Sequence, residues 1–223
     1  MILLPNEIPK ISFTDVSFAW NKGSNPVINN CNFSINKKGL WMIVGENGTG
    51  KSTLLKLIQG ILKPTYGKVE RTANIGMVFQ NPDHQILMPN CRSELLLNIN
   101  SELSRKNINK DIKNALNKVG LNGFEKRPIH TLSGGQKQRL TIACSLIKKS
   151  NFILMDEPTA LLDKESQLNI LRITKELTSN TNYPVTTLWI THRLEELRFA
   201  DGVAEMKNGN LSDWQKPSRF DFN

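Results

Sequence analysis

The sequence predicts an α/β fold with a β subdomain and an inserted helical subdomain, and three observations carry the prediction. First, residues 40–44 (Leu-Trp-Met-Ile-Val) read as a buried strand that runs into a glycine-rich stretch at 45–53. Beyond that stretch Leu54, Leu55, Ile58, Ile61 and Leu62 recur on one helical face. Second, residues 152–155 (Phe-Ile-Leu-Met) are an unbroken apolar run, as a central parallel strand buried on both faces requires. Third, the apolar period becomes helical from about residue 93 to 120, where Leu95, Leu96, Ile99, Leu103, Ile108, Ile112 and Leu116 line up ahead of Gly120. The reading is a single domain over 1–223, with the helical subdomain at about 86–150.

The glycine-rich stretch fixes the chemistry. Gly45-Glu46-Asn47-Gly48-Thr49-Gly50-Lys51-Ser52-Thr53 fills every fixed position of G-x-x-x-x-G-K-[ST]. Gly45, Gly48 and Gly50 allow a tight turn whose backbone N–H groups, those of Asn47, Thr49 and Thr53 among them, converge on an anion. Lys51 brings a compact positive charge to the outer phosphates, and Ser52 offers a hydroxyl to Mg²⁺. Strand, glycine loop and helix in this order make a P-loop NTPase core, with the phosphates on the helix N-terminus.

The other elements follow in chain order. Residues 11–18 alternate apolar and polar as a half-buried strand does, residues 22–26 turn, and residues 27–35 give a second strand. After the phosphate-loop helix stops at Gly60 and Pro64, residues 66–70 and 75–79 are short strands. A helix follows Gln136, with Leu140, Ala143, Leu146 and Ile147 on one face and Lys148 and Lys149 at its C-terminal end, where the dipole favours cations. Residues 164–177 are helical, 185–190 a buried strand, 194–199 a short helix and 202–206 a last strand. The polar tail 215–223 is expected to be loose.

Composition narrows the class. Of 223 residues, 39% are hydrophobic and 22% charged, a soluble balance with length enough for a sizeable core. No apolar run approaches the ~18 residues of a membrane span, and residues 1–5 lack the basic start of a signal peptide, so the chain is expected to be soluble and cytosolic. The three cysteines, Cys31, Cys91 and Cys144, are odd in number and widely spaced, which suggests neither a disulfide frame nor a zinc site. Net charge is +9, and residues 91–150 carry 12 Lys+Arg against 4 Asp+Glu. Such a basic face suits nucleic acid, an anionic membrane surface or simply solvent.

Further chemistry lies outside the loop. Leu132-Ser133-Gly134-Gly135-Gln136 opens a helix and so makes a second anion site from backbone N–H groups, the Ser133 hydroxyl and the positive helix end. One nucleotide does not need both sites from one molecule. Asp156 and Glu157 end the apolar strand, at the edge where α/β sheets place ligands. Asp156 can hold Mg²⁺ through water, and Glu157 can orient or deprotonate an attacking water. Asp163 stands where it can cap the helix that follows. His192 ends a strand on the same edge, Gln80 follows residues 75–79, and Trp20 is either core or a stacking face.

Leu-Ser-Gly-Gly-Gln resembles the signature of ATP-binding cassette (ABC) ATPases, and the resemblance extends over about residues 11–213. It implies ATP and Mg²⁺ as ligands and a dimer, of identical or different subunits, in which Ser133, Gly135 and Gln136 of one chain close over the γ-phosphate held by the other. Asp163 then resembles the loop that crosses the dimer interface, although Lys164 stands where proline is frequent. His192 resembles the family's switch histidine, Gln80 its γ-phosphate and Mg²⁺ sensor, and Trp20 the aromatic that stacks on adenine. Residues 79–86 (Phe-Gln-Asn-Pro-Asp-His-Gln-Ile) are similar to the ATPases of energy-coupling-factor importers, whereas 87–91 fit that group less well. The resemblance implies an ATPase that powers separate transmembrane subunits, an importer of metal ion or vitamin, held at the cytoplasmic face of the cell membrane, with no nucleic-acid partner. The alternatives are a soluble ABC ATPase acting on nucleic acid or ribosome, which would carry a long coiled coil or a second cassette, and a P-loop nucleotide kinase, which would lack the signature and His192.

Overall fold

A computed structural model describes residues 10–99, 105–180 and 185–220. Its main sheet contains β3 (Gly39–Val44), β5 (Ile75–Val78), β6 (Phe152–Asp156), β7 (Thr186–Thr191), β8 (Gly202–Lys207) and β9 (Asn210–Leu211), in the order β5-β6-β7-β3-β8-β9. All neighbours pair in parallel except β8 and β9. A second sheet, antiparallel, has the order β2-β1-β4, from β1 (Ile11–Phe18), β2 (Ile28–Ile35) and β4 (Tyr66–Arg71).

The apolar runs have the physical cause expected of them. Along β6, Phe152 and Leu154 face the core shared with the antiparallel sheet, while Ile153 and Met155 face the opposite core, and all four are fully buried. Helix α1 (Lys51–Gln59) lies in the first of these cores, with Leu54, Leu55, Leu57 and Ile58 buried in the cluster that also holds Phe13, Ile28 and Ile190. The other core is closed by α2 (Cys91–Leu97), α3 (Arg105–Lys118), α4 (Gly134–Ile147) and α5 (Lys164–Ser179). Buried Leu95, Ile112, Leu116 and Leu140 there belong to one apolar cluster with Met155 and Trp189.

Several expectations need correction. The helical stretch 93–120 is two helices, because α2 stops at Asn98, whose N–H bonds back to Leu95 and Leu96. Leu103 lies outside the described residues. Helix α1 ends at Gly60 in a left-handed cap, so Ile61 falls beyond it and is 68% exposed. Residues 194–199 form a 3₁₀ helix, and β8 is not the last strand, since β9 returns against it. The tail is not loose as far as it is described: Val203 and Gln215 exchange backbone hydrogen bonds at 2.9 and 2.8 Å, Pro217–Arg219 is a 3₁₀ turn, and Phe220 packs on the core.

Candidate active site at the sheet edge

The phosphate loop leaves β3 at Val44 and is shaped by its glycines. Gly48 and Gly50 sit at φ +81° and +104°, a region that other residues enter only with strain. No side chain caps α1, so the N–H groups of its first turn rely on another partner, which a phosphate can be. Lys51 is only 6% exposed, and its ammonium donates to the carbonyls of Gly45 and Glu46, both at 2.7 Å. Burial holds its pKa below the usual lysine value, with the charges of Glu157 and Asp156 opposing the shift.

The carboxylates arrive from β6. Ser52 Oγ donates to Asp156 Oδ2 at 3.3 Å, so the two oxygens expected at a metal ion are neighbours. Two hard oxygen donors beside a phosphate loop fit Mg²⁺. Burial pushes the Asp156 carboxyl above the ordinary carboxylate range, as does neighbouring Glu157, against the hydrogen bond from Ser52 and the charge of Lys51. Glu157 follows in the left-handed region at φ +45°, held there as its N–H donates to Ile190 and its carbonyl accepts from Ala160. Its Oε2 lies 3.1 Å from Nδ1 of His192, whose ring is half exposed at the end of β7.

A second group forms around the start of α4. Ser133 Oγ accepts from the Gln136 N–H, and Gln136 Oε1 accepts from the Ser133 N–H, a reciprocal cap. Asp163 caps α5 by accepting from the Ser166 N–H at 2.9 Å, which together with the Ser166 hydroxyl holds its carboxyl below the usual range. Gly135 is packed so closely on Ser166 that a Cβ there would come within 2.6 Å of the hydroxyl. Ser133, Gly135, Gln136 and Asp163 therefore stand together. Among the described residues, no hydrogen bond or ion pair joins them to residues 45–53, Asp156 or His192.

Gln80 and Trp20 stand at the margins. Gln80 is exposed just past β5. Trp20 is 55% exposed, edge-on to Phe18 at 5.1 Å, with Lys56 Nζ 5.8 Å from the ring centroid, so the core alternative for Trp20 does not hold.

Three residues escaped the sequence reading. Glu196, 1% exposed, accepts from Thr159 Oγ1 and from Trp189 Nε1. Gln138, wholly buried, donates to the Phe79 carbonyl. Gln167 Nε2 donates to the carbonyls of Thr159 and Leu162, across the stretch between Glu157 and Asp163. The one sequence signal was position: Gln138 lies two residues past Gln136, and Glu196 four past His192.

The family model described as ABC transporter matches residues 28–160. The energy-coupling factor transporter ATP-binding protein EcfA1 of Streptococcus pyogenes is 33% identical, over 94% of this chain and 80% of its own. ABC transporter I family member 10 of Arabidopsis thaliana is 41% identical, over 83% of this chain and 69% of its own. Among solved structures, cbiO1 of Clostridium perfringens, part of the ABC transporter complex cbiONQ, superposes with a TM-score of 0.87 at 28% identity, over 96% of this chain and 90% of that one. A dimeric ATP-binding cassette in a post-hydrolysis state with ADP and Pi superposes with a TM-score of 0.77 at 26% identity, over 93% and 98%.

Proposed function

Because this chain belongs to the ABC transporter family and is an ATPase of that family, we propose that it powers a membrane importer of a metal ion or a vitamin. The observation that carries the proposal is the convergence of Lys51, Ser52, Asp156, Glu157 and His192 on one sheet edge. The likeness to an energy-coupling factor ATPase and to a component of the cbiONQ transporter complex supports the importer class. No helix among the described residues is long and apolar enough to cross a membrane, which fits a peripheral subunit acting on separate transmembrane partners at the cytoplasmic face.

In this reading the amides of residues 45–53 and Lys51 bind the phosphates, and Trp20 stacks on the adenine. Ser52 and Asp156, with Gln80, hold Mg²⁺, which neutralises phosphate charge when bound. Glu157 accepts a proton from the attacking water. With His192 Nδ1 turned to Glu157, Nε2 is the ring nitrogen left for a phosphate oxygen. Ser133, Gly135, Gln136 and Asp163 of a second, opposed ATPase subunit complete each site. The helical region at about 86–150, with its basic surplus, faces the membrane subunits.

The test is to tag the chain in its own cells, solubilise membranes in detergent and identify what purifies with it. Integral membrane proteins, together with loss of metal or vitamin uptake in a Lys51→Ala strain, are the expected result. Ribosomes or nucleic acid in their place overturn it.

A further inference from the structure

We infer that Glu196 is a positioning residue for hydrolysis: its buried carboxylate locks the turn that carries Glu157 to the turn that carries His192. This rests on the reading of Glu157 as the base that activates water.

The argument begins with the backbone at Glu157. A non-glycine residue at φ +45° persists only where its surroundings over-determine it. Backbone bonds to Ile190 and Ala160 hold the near side of the turn. The far side is held through Thr159, whose hydroxyl donates to Glu196 Oε1 at 2.5 Å. The other carboxylate oxygen, Oε2, accepts from the Trp189 indole at 3.0 Å, and Arg193 Nε stands 3.6 Å from Oε1. One carboxylate thus grips three pieces of chain: the β6–α5 turn, strand β7, and the 3₁₀ helix that follows His192. Gln167 fastens the same turn from the α5 side, at 2.7 Å to Leu162 and 3.3 Å to Thr159.

Chemistry separates this role from ordinary packing. Thr159 and Glu196 are each 1% exposed, and a buried carboxylate costs free energy that an apolar side chain of that volume does not. What the carboxylate adds is direction. Two acceptor oxygens fix two donors in one plane, and both donors lie within three residues of the Glu157–His192 pair. A shift of about 1 Å there costs up to about 10²-fold in rate without changing what binds ATP.

The test compares Thr159→Val, Thr159→Ser and Glu196→Gln, with Glu157→Gln as control, in the chain purified with its membrane assembly. Thr159→Val is expected to lower kcat about tenfold with KM and ATP affinity unchanged. Thr159→Ser, which restores the hydroxyl, is expected to recover kcat. Glu196→Gln leaves one acceptor oxygen for the Thr159 and Trp189 donors and is expected to lower kcat as well; combined with Thr159→Val it is expected to be no worse than the worse single variant, since the Thr159 link is common to both. If Thr159→Val and Glu196→Gln turn over normally and only melt earlier, while Glu157→Gln is inactive, the inference fails and the base assignment stands. Should Glu157→Gln itself retain turnover, the base assignment fails and takes the inference with it.

Discussion

Gln138 Nε2 donates to the carbonyl of Phe79 at 2.9 Å, and this bond ties the first turns of α4 to the loop that carries Gln80. Lys137 adds an ion pair with Asp83 at 2.7 Å on the same loop. The start of α4 and the Gln80 loop are therefore one body. Gln138→Met keeps the volume but strands the Phe79 carbonyl, at a cost of about 1–3 kcal/mol. The expected result is a melting temperature lower by several degrees and faster amide exchange over residues 79–86 than over β5. Unchanged exchange there means the clamp does not hold the loop.

Glu157→Gln is expected to cut turnover about 10²–10⁴-fold, the usual worth of a general base, while ATP stays bound. Equilibrium binding and single-turnover hydrolysis measured side by side decide it. A variant hydrolysing near the wild-type rate refutes the assignment.

Trp20→Ala is expected to weaken ATP binding by about 1–3 kcal/mol, the usual worth of an aromatic under a base, with Trp20→Tyr tolerated. Because the side chain is 55% exposed, the melting temperature is expected to move little. A large drop in melting temperature with unchanged affinity contradicts the stacking role.

Lys51→Ala and Ser133→Arg, each inactive alone, are expected to recover activity when mixed. If sites are shared head to tail, each mixed dimer keeps one intact site. Random exchange makes about half the dimers mixed, so about a quarter of all sites are intact. Proven subunit exchange with neither turnover nor ATP binding restored rejects a shared site between identical subunits.

The three cysteines are buried thiols, and burial pushes Cys31 to about 11 and Cys91 and Cys144 upward as well. A thiol reagent at pH 8 is expected to leave the native chain unlabelled and to react with all three in denaturant. The raised thiols also set a pH dependence. Between the ordinary value of about 8.5 and about 11, the unfolded thiol ionises while folded Cys31 stays protonated, so stability falls as pH rises through that window. Rapid native labelling would show that these cores open.

What the sequence disclosed was what short-range chemistry dictates. The loop around Lys51 was legible because no other turn needs glycines and Lys-Ser in that order between strand and helix. The caps at Ser133 and Asp163 were legible because each bonds within three residues of itself. Long-range partnerships were not. Glu196 lay unremarked in the short helix at 194–199, since nothing near it announces Thr159, 37 residues away. The two-residue β9 has no period of its own and exists by pairing with β8. Gln215 lost its expected freedom for the same reason, through a bridge to Val203.

The strand order β6-β7-β3 bears on how the protein is made. Ser52 and Asp156 are 104 residues apart, and the strands that deliver them are separated in space by β7, which spans Thr186–Thr191. A chain emerging from the ribosome thus holds its complete phosphate loop long before it can finish the metal-binding edge, and it must wait for a strand near its far end to slip between. Parallel strands so distant in sequence assemble slowly. Nucleotide bound by the finished site would favour the closed chain by mass action. In refolding, ATP affinity is accordingly the last property to return, and a nascent chain arrested before residue 186 is expected to lack the finished site.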